Sequence, residues 1–213
     1  MRIAELKHEP TSRDHSFYVS FSDLVVLLCA FFVMIVAMSK IDTGTFEKIK
    51  TGFTGKSEGT LVELADKLKK IAIGPPKVSG ISVELAEDGV RLDLESAALF
   101  ETGSAVLRRN ALKPYFKILR EVRKTKYFLD IEGHADDQPL FRRDGKEIET
   151  NWSLSGRRAS TVVYQLTLLG FKQERLRIVG YASNKPKAEF KGKSGQALEK
   201  ARAENRRVTI LVH

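Results

Sequence analysis

From Phe17 to Ser39 the chain reads FYVSFSDLVVLLCAFFVMIVAMS, 23 residues with a single ionised side chain, that of Asp23. Crossing the hydrocarbon core of a bilayer takes about 20 apolar residues in a helix, because lipid offers an open backbone no hydrogen-bond partners. The segment is long enough to span once. A cleaved signal peptide competes with that reading. Leu24 to Ala37 has the length of a signal-peptide core, Ala37 and Ser39 form a small-x-small pair, and Arg2, Lys7 and Arg13 precede it. Against it, apolar and aromatic residues continue on the N-terminal side of Asp23, beyond a typical signal core. Counting positive charges does not decide orientation, since Lys40, Lys48, Lys50 and Lys56 follow the segment.

The net charge of +9 raises the question of nucleic acid. The basic residues are spread along the chain, without a run of five and without interleaved aromatics, so no nucleic-acid partner is expected. A solvated basic surface facing anionic envelope polymers fits better. Cys29, the one cysteine, lies inside the apolar run, which excludes an intrachain disulfide and a cysteine-built metal site.

Residues 1–16 read as a polar tail and 17–39 as the membrane helix. Residues 40–80 read as a linker with weak helices. Within it Ile41, Phe46, Ile49 and Phe53 recur at spacings that keep three of them near one helical face, suited to a bilayer surface, a partner, or a symmetry mate. LVELADKLKKIA predicts a second amphipathic helix, with Leu61, Leu64, Leu68 and Ile71 inward and Pro75-Pro76 beyond its end.

From Ile81 to residue 213 the texture is compact α/β. Ile81, Val83 and Leu85 alternate, Glu87-Asp88-Gly89 turns, and Val90, Leu92 and Leu94 alternate again, which predicts a hairpin. A helix follows over Leu112–Lys124, with Leu112, Phe116, Leu119 and Val122 on one face. Then come a strand at Tyr127–Glu132, a charged loop over 134–151, and a helix ended by Gly170. The chain closes with a strand at Leu176–Val179, the helical GQALEKARAEN and a last strand at Val208–Val212. Strands alternating with helices predict a mixed sheet covered on one face. The fold class is α+β: one membrane helix, linker helices, then an α/β sandwich.

A charge at the middle of a spanning helix costs roughly 2.5–3.5 kcal/mol, and less near an end. Asp23 has little reach for snorkelling compared with Lys or Arg. Protonated or paired with sodium, its carboxyl is nearly neutral and can move through low dielectric. Each unit charge crossing the membrane yields about 2.3 kcal/mol per 100 mV. Asp23, Leu27, Ala30, Met34 and Ala37 repeat at heptad-like spacing beside the small Ser22 and Cys29, a face suited to packing against other helices, so a multi-helix partner is implied.

FSDLVVLLCAFFVMIVAMSKID resembles the transmembrane segment of the MotB/PomB/MotS flagellar stator family. The shared pattern is an aromatic, a small residue, Asp, and an apolar run ending Met-Ser-x-Ile-Asp. The resemblance implies that Asp23 is the ion-binding residue. It also implies a cytoplasmic N-terminus, a single pass through the bacterial inner membrane, and a periplasmic C-terminal domain. FETGSAVL, IEGHADD, NWSLSGRRASTVVYQL, LRIVGYASNKP and ARAENRRVTILV resemble an OmpA-like peptidoglycan-binding domain, in the expected order. That resemblance implies that Asp136 and Arg158 hold the wall peptide, with Asn205 and Arg207 closing the same site. Diaminopimelate carries carboxylate and ammonium groups, which an arginine fork and an aspartate match. The family usually has threonine where this chain has Ala135. No Ser or Cys nucleophile motif accompanies His134, which reads as a structural, hydrogen-bonded histidine, and no enzymatic activity, cofactor or metal is expected.

The family further implies a plug, matched in position by Ile41, Phe46, Ile49 and Phe53. It implies a MotA/PomA-like multi-helix subunit surrounding a homodimer of this chain, with H+ or Na+ as the transported ion. Phe21 in place of tyrosine resembles sodium-type members. A passive OmpA-like anchor explains the chain after Ile81 and leaves Asp23 without a role. A Zorya-type defence motor would use a similar pair of subunits, while an ExbD/TolR-like transducer lacks the OmpA-like domain.

Overall fold

The computed structural model describes residues 12–38, 60–144 and 147–213. Ile41, Phe46, Ile49 and Phe53 lie outside the described residues. The chain divides into two units, residues 1–41 and 42–213.

The first unit contains helix α1, Ser12–Met38. Within it Ser16–Ala37 forms a stretch of 22 residues with mean hydropathy 2.6. At 1.5 Å per residue that is about 33 Å, the thickness of a bilayer's hydrocarbon core. The stretch is long and apolar enough to cross a membrane, and its side chains are exposed throughout.

The second unit begins with α2, Leu61–Ile73. The Thr60 side chain caps it by accepting a hydrogen bond from the Glu63 N–H at 3.2 Å, satisfying one of the orphan donors of the first turn. Leu61, Leu64, Ala65, Leu68 and Ala72 are buried in the main core. The helix that periodicity places in a linker is thus a wall of the folded unit.

Five strands form the sheet: β1 (Ile81–Ala86), β2 (Gly89–Glu95), β3 (Leu129–His134), β6 (Leu176–Ala182) and β7 (Arg207–Val212). Their order is β1-β2-β7-β3-β6, with β3 and β6 parallel and the other neighbours antiparallel. The predicted hairpin is present, with Ala86 opposite Gly89. Gly89 has φ +144°, and a Cβ there would stand 2.2 Å from the Val212 carbonyl oxygen, so no other residue fits.

Alternation sorts the strands into two faces. Val90, Leu92, Leu94, Leu129, Ile131, Val208, Ile210 and Val212 face the helices and form the core. The other face carries Arg91, Asp93, Glu132, His134, Arg207 and Thr209, most of them buried beneath the segment after β6. There Thr209 donates to Asp93 at 2.6 Å and Arg91 to Glu132 at 3.1 Å. Lys187 bonds Asp93 and, at 3.2 Å, Glu84. Hydrogen bonds from Lys187 and Thr209 outweigh burial and hold the Asp93 carboxyl below the usual range.

Two expected boundaries move. Where one helix over 112–124 is predicted, a 3-10 turn at Lys113–Tyr115 precedes α4, Phe116–Lys124; α3 is a four-residue turn at Ser96–Leu99. Pro114 lacks an N–H and suits a first turn. The tighter turn rotates the face, so Tyr115 and Ile118 are buried while Phe116 is 46% exposed. The expected loop over 134–151 contains a hairpin, β4 (Phe141–Asp144) with β5 (Glu147–Thr150).

Helix α5, Asn151–Leu168, starts with a capping box between Thr150 and Ser153, and Gly170 follows it at φ +83°. Helix α6 spans Gly195–Asn205.

Candidate functional site

Asp23 lies seven residues into the Ser16–Ala37 stretch, about 10 Å along the axis. On α1 its face continues through Leu27, Ala30, Met34 and Ala37. Among the described residues no side chain pairs with it. Whatever holds or neutralises this carboxylate in lipid must come from outside α1.

In the second unit, the chemistry converges on a cleft of about 490 Å³ whose lining includes Phe100, Arg108, Asp136, Arg158, Glu199 and Arg206. Its geometry starts at a glycine. A Cβ on Gly133 would stand 2.0 Å from the Ser155 carbonyl oxygen, and one on Gly180 would stand 3.1 Å from the Gly156 nitrogen. Glycine in β3 and β6 therefore lets the first turns of α5 rest on the strands, which sets Arg158 beside the chain leaving β3.

Arg158 is 5% exposed. Its Nε donates to the Ser104 carbonyl at 2.9 Å, and its guanidinium lies 5.3 Å from the centroid of the Phe100 ring, within the range of a cation–π contact. The group is held from two sides. Asp136 follows a β-bulge at Gly133/His134. Its Oδ1 accepts the Gln138 N–H at 3.2 Å and its Oδ2 accepts from Arg206 Nη1 at 2.7 Å. Arg206 Nη2 donates to Glu199 at 2.8 Å. The Ala135 methyl also lines the cleft, where a hydroxyl was expected from the family pattern. Cationic and anionic groups thus face one hollow, the arrangement that fits a zwitterionic ligand.

Of the predicted site residues, the structure brings Asp136 and Arg158 together and leaves two apart. Asn205 is fully buried. It donates to the Ala188 and Ala201 carbonyls at 2.6 and 2.9 Å and accepts the Lys187 and Ala188 N–H groups at 2.6 and 3.2 Å. An amide offers two donors and one acceptor oxygen, so Asn205 has no capacity left for a ligand and pins the segment after β6. Arg207 points to the polar face of the sheet, with Nε 3.6 Å from Asp93 Oδ1. Burial pushes its guanidinium below the usual range. Neither lines the cleft.

The residue that sequence reasoning missed is Arg206. Its signal was parity: Val208, Ile210 and Val212 face the helices, so the position two before Val208 continues that side, while Arg207 and Thr209 take the other.

His134 is 1% exposed, stacks on Tyr181 with ring centroids 5.4 Å apart, and shares a 3.3 Å hydrogen bond with Glu132 through Nε2. Burial lowers its pKa from 6.5. A larger hollow of about 570 Å³ lies between α2 and α4. Three of its ions are matched with one another: Lys124 and Lys67 bond Glu121 at 2.7 and 2.8 Å and lower its carboxyl to about 2. Among the described residues no cluster of three His, Cys, Asp or Glu is placed to hold a metal.

Known proteins share both halves of this plan. Residues 99–200 match the OmpA family, and residues 3–56 match the family described as membrane MotB of the proton-channel complex MotA/MotB. The chain is 28% identical to YtxE of Bacillus subtilis over 221 residues, covering 92% of this chain and 88% of that protein. It is 22% identical to Motility protein B of the same organism over 264 residues, covering 99% and 95%. Among solved structures, the cell wall anchor of the T6SS from Pseudomonas aeruginosa aligns with TM-score 0.56 at 27% identity, covering 68% of this chain and 95% of that one. The periplasmic domain of Helicobacter pylori MotB aligns with TM-score 0.52 at 26% identity, covering 62% and 81%.

Proposed function

The chain belongs to the MotB family, and from that premise we propose that it is the wall-anchored subunit of an ion-driven motor. Asp23 carries the coupling ion, and the cleft at Asp136 and Arg158 grips a peptidoglycan stem peptide. The observation that carries the reading is the presence, on one chain, of a carboxylate in a helix long and apolar enough to span a membrane and of a zwitterion-complementary cleft.

The two parts need each other. Loading H+ or Na+ on Asp23 neutralises it, which removes the cost of a bare charge in low dielectric, and release restores that cost. Such a cycle moves helices, and a MotA-like multi-helix subunit around two copies of this chain supplies the surface that moves. Without a fixed point the movement would be lost as free rotation in the membrane. Asp136 holding the ligand ammonium and Arg158 its carboxylate give that fixed point. The N-terminus then lies in the cytoplasm and the second unit in the periplasm.

A two-arm experiment tests this. The chain is expressed with its membrane partner in a motile bacterium lacking stators, and swimming is scored beside sedimentation with purified peptidoglycan. Asp23→Asn is expected to abolish swimming and leave sedimentation intact, while Arg158→Ala is expected to reduce sedimentation at least tenfold. Swimming that survives Asp23→Asn would leave a passive wall anchor as the reading.

A further inference from the structure

We propose that the outer face of α4 and the groove beside it form a docking surface for the phosphate headgroups of an anionic bilayer. The inference goes beyond wall binding and rests on one part of the reading above, that α1 crosses a membrane.

Between Arg108 and Phe128 the sequence has eight basic residues and one acidic residue, Glu121. Lys113, Phe116, Lys117, Arg120 and Lys124 recur at spacings of three and four, which puts them on one side of the 3-10 turn and helix, and all five are exposed. The one acid points the other way: Glu121 is buried and held by Lys67 and Lys124 at 2.8 and 2.7 Å. Among the described residues no carboxylate pairs with Lys113, Lys117, Arg120 or Lys126. Arg123 donates to the Leu169 carbonyl at 2.7 Å, a neutral partner that fixes its guanidinium and leaves its charge uncancelled. Unbalanced charge of one sign on one helix face suits an anionic surface.

The apolar floor favours a bilayer over a soluble anionic polymer. Phe116 stands exposed amid the basic residues, and with Leu119, Leu169 and Phe171 it lines a groove of about 180 Å³ rimmed by Arg120 and Arg123. The phosphates of a soluble polymer would engage the cations and leave this floor facing water. A lipid surface uses both, with cations at the phosphates and the ring at the acyl boundary. The chain also keeps such a surface within reach. Fully extended, the residues between Met38 and Leu61 span at most about 75 Å. A bilayer crossed by α1 therefore meets the second unit at high effective concentration, where weak contacts suffice. The groove lies by the last turn of α5 and Arg158 near its start, about 16 Å apart along the axis. Docking leaves the cleft open.

The test uses the full chain reconstituted into vesicles of phosphatidylcholine, or of equal parts phosphatidylcholine and phosphatidylglycerol, with brominated acyl chains that quench tryptophan on contact. Trp152, the one tryptophan, sits at the start of α5 and reports on the cleft end in the wild type. Combining Trp152→Phe with Phe116→Trp moves the reporter to the groove. The groove reporter is expected to be quenched at least about threefold more in the anionic vesicles, and to lose that excess at about 1 M salt, where screening shortens to about 3 Å. Adding Lys117→Glu and Arg120→Glu should remove the excess in a chain whose melting temperature is unchanged, and Trp152 should show none. An unquenched groove reporter, equal quenching in both vesicles, or an excess that survives the charge reversal would overturn the inference. So would stronger quenching of Trp152 than of the groove reporter. Binding of soluble polyglycerol phosphate without lipid quenching would assign the face to an anionic polymer instead. A chain that floats with neither vesicle would remove the spanning reading itself.

Discussion

Leu27 on α1 and Leu68 on α2 are both leucines on the apolar face of a helix, yet the first is 61% exposed and the second 0%. The difference is in what the chain itself supplies. The sheet and α4 cover Leu68, whereas among the described residues nothing within the first unit covers the side chains of α1. The second unit therefore completes its own core and its own cleft. Helix α1, long and apolar enough to cross a membrane, offers its one carboxylate no partner among the described residues.

The contrast breaks most visibly at the leucines. Leu68→Ala is expected to cost about 2–5 kcal/mol in denaturant unfolding of the second unit, from lost transfer energy and the cavity left behind. Leu27→Ala should leave the same transition where it was. Equal shifts would mean that α1 packs on the folded domain.

Asn205→Ala sharpens the comparison within the second unit, separating a fastener from a ligand contact. It leaves two N–H groups and two carbonyls without their amide partner, at about 1–3 kcal/mol for each one left unsatisfied. Melting temperature should fall, while affinity for the stem peptide, measured well below the transition, should change less than threefold. A selective loss of affinity in a stable variant would return Asn205 to the binding site.

The smallest effect is the acid dependence of His134. Its ring faces Glu132 from β3 and Tyr181 from β6, with Arg207 from β7 and Asp93 from β2 acting on its charge. Its pKa is lowered from 6.5 in the folded state, so the unfolded chain binds the proton more readily. The contribution is present above pH 6.5 and is lost as pH falls toward the depressed folded value, at no more than about 1.4 kcal/mol per pH unit. His134→Gln should flatten the stability profile below pH 6.5, as read by melting temperature at stepped pH. An unchanged slope would assign that limb to other groups.

The sequence carried much of this architecture through its periods. Alternation over Ile81–Leu94 predicted the hairpin, and Gly170 marked the end of α5. Charge concealed the β4–β5 hairpin: FRRD and EIET pair as strands but show no clean apolar alternation. Spacing identified the amphipathic face of α2 without naming what it packs against. Motif resemblance pointed to all four expected cleft residues, yet of these only Asp136 and Arg158 line the cleft, because a motif in a strand does not say which side of the sheet each neighbour faces.

The sequence by itself determined that Ser16–Ala37 can span a bilayer with one carboxylate, because length and hydropathy are one-dimensional properties. It determined strand and helix periods for the same reason. Only the tertiary structure decided which charges meet. Arg206 and Asp136 are 70 residues apart, and Arg158 reaches their cleft only because Gly133 lets α5 approach β3 within the space a side chain would fill. Contacts of that range depend on how packed elements stack, and no local pattern encodes the distance.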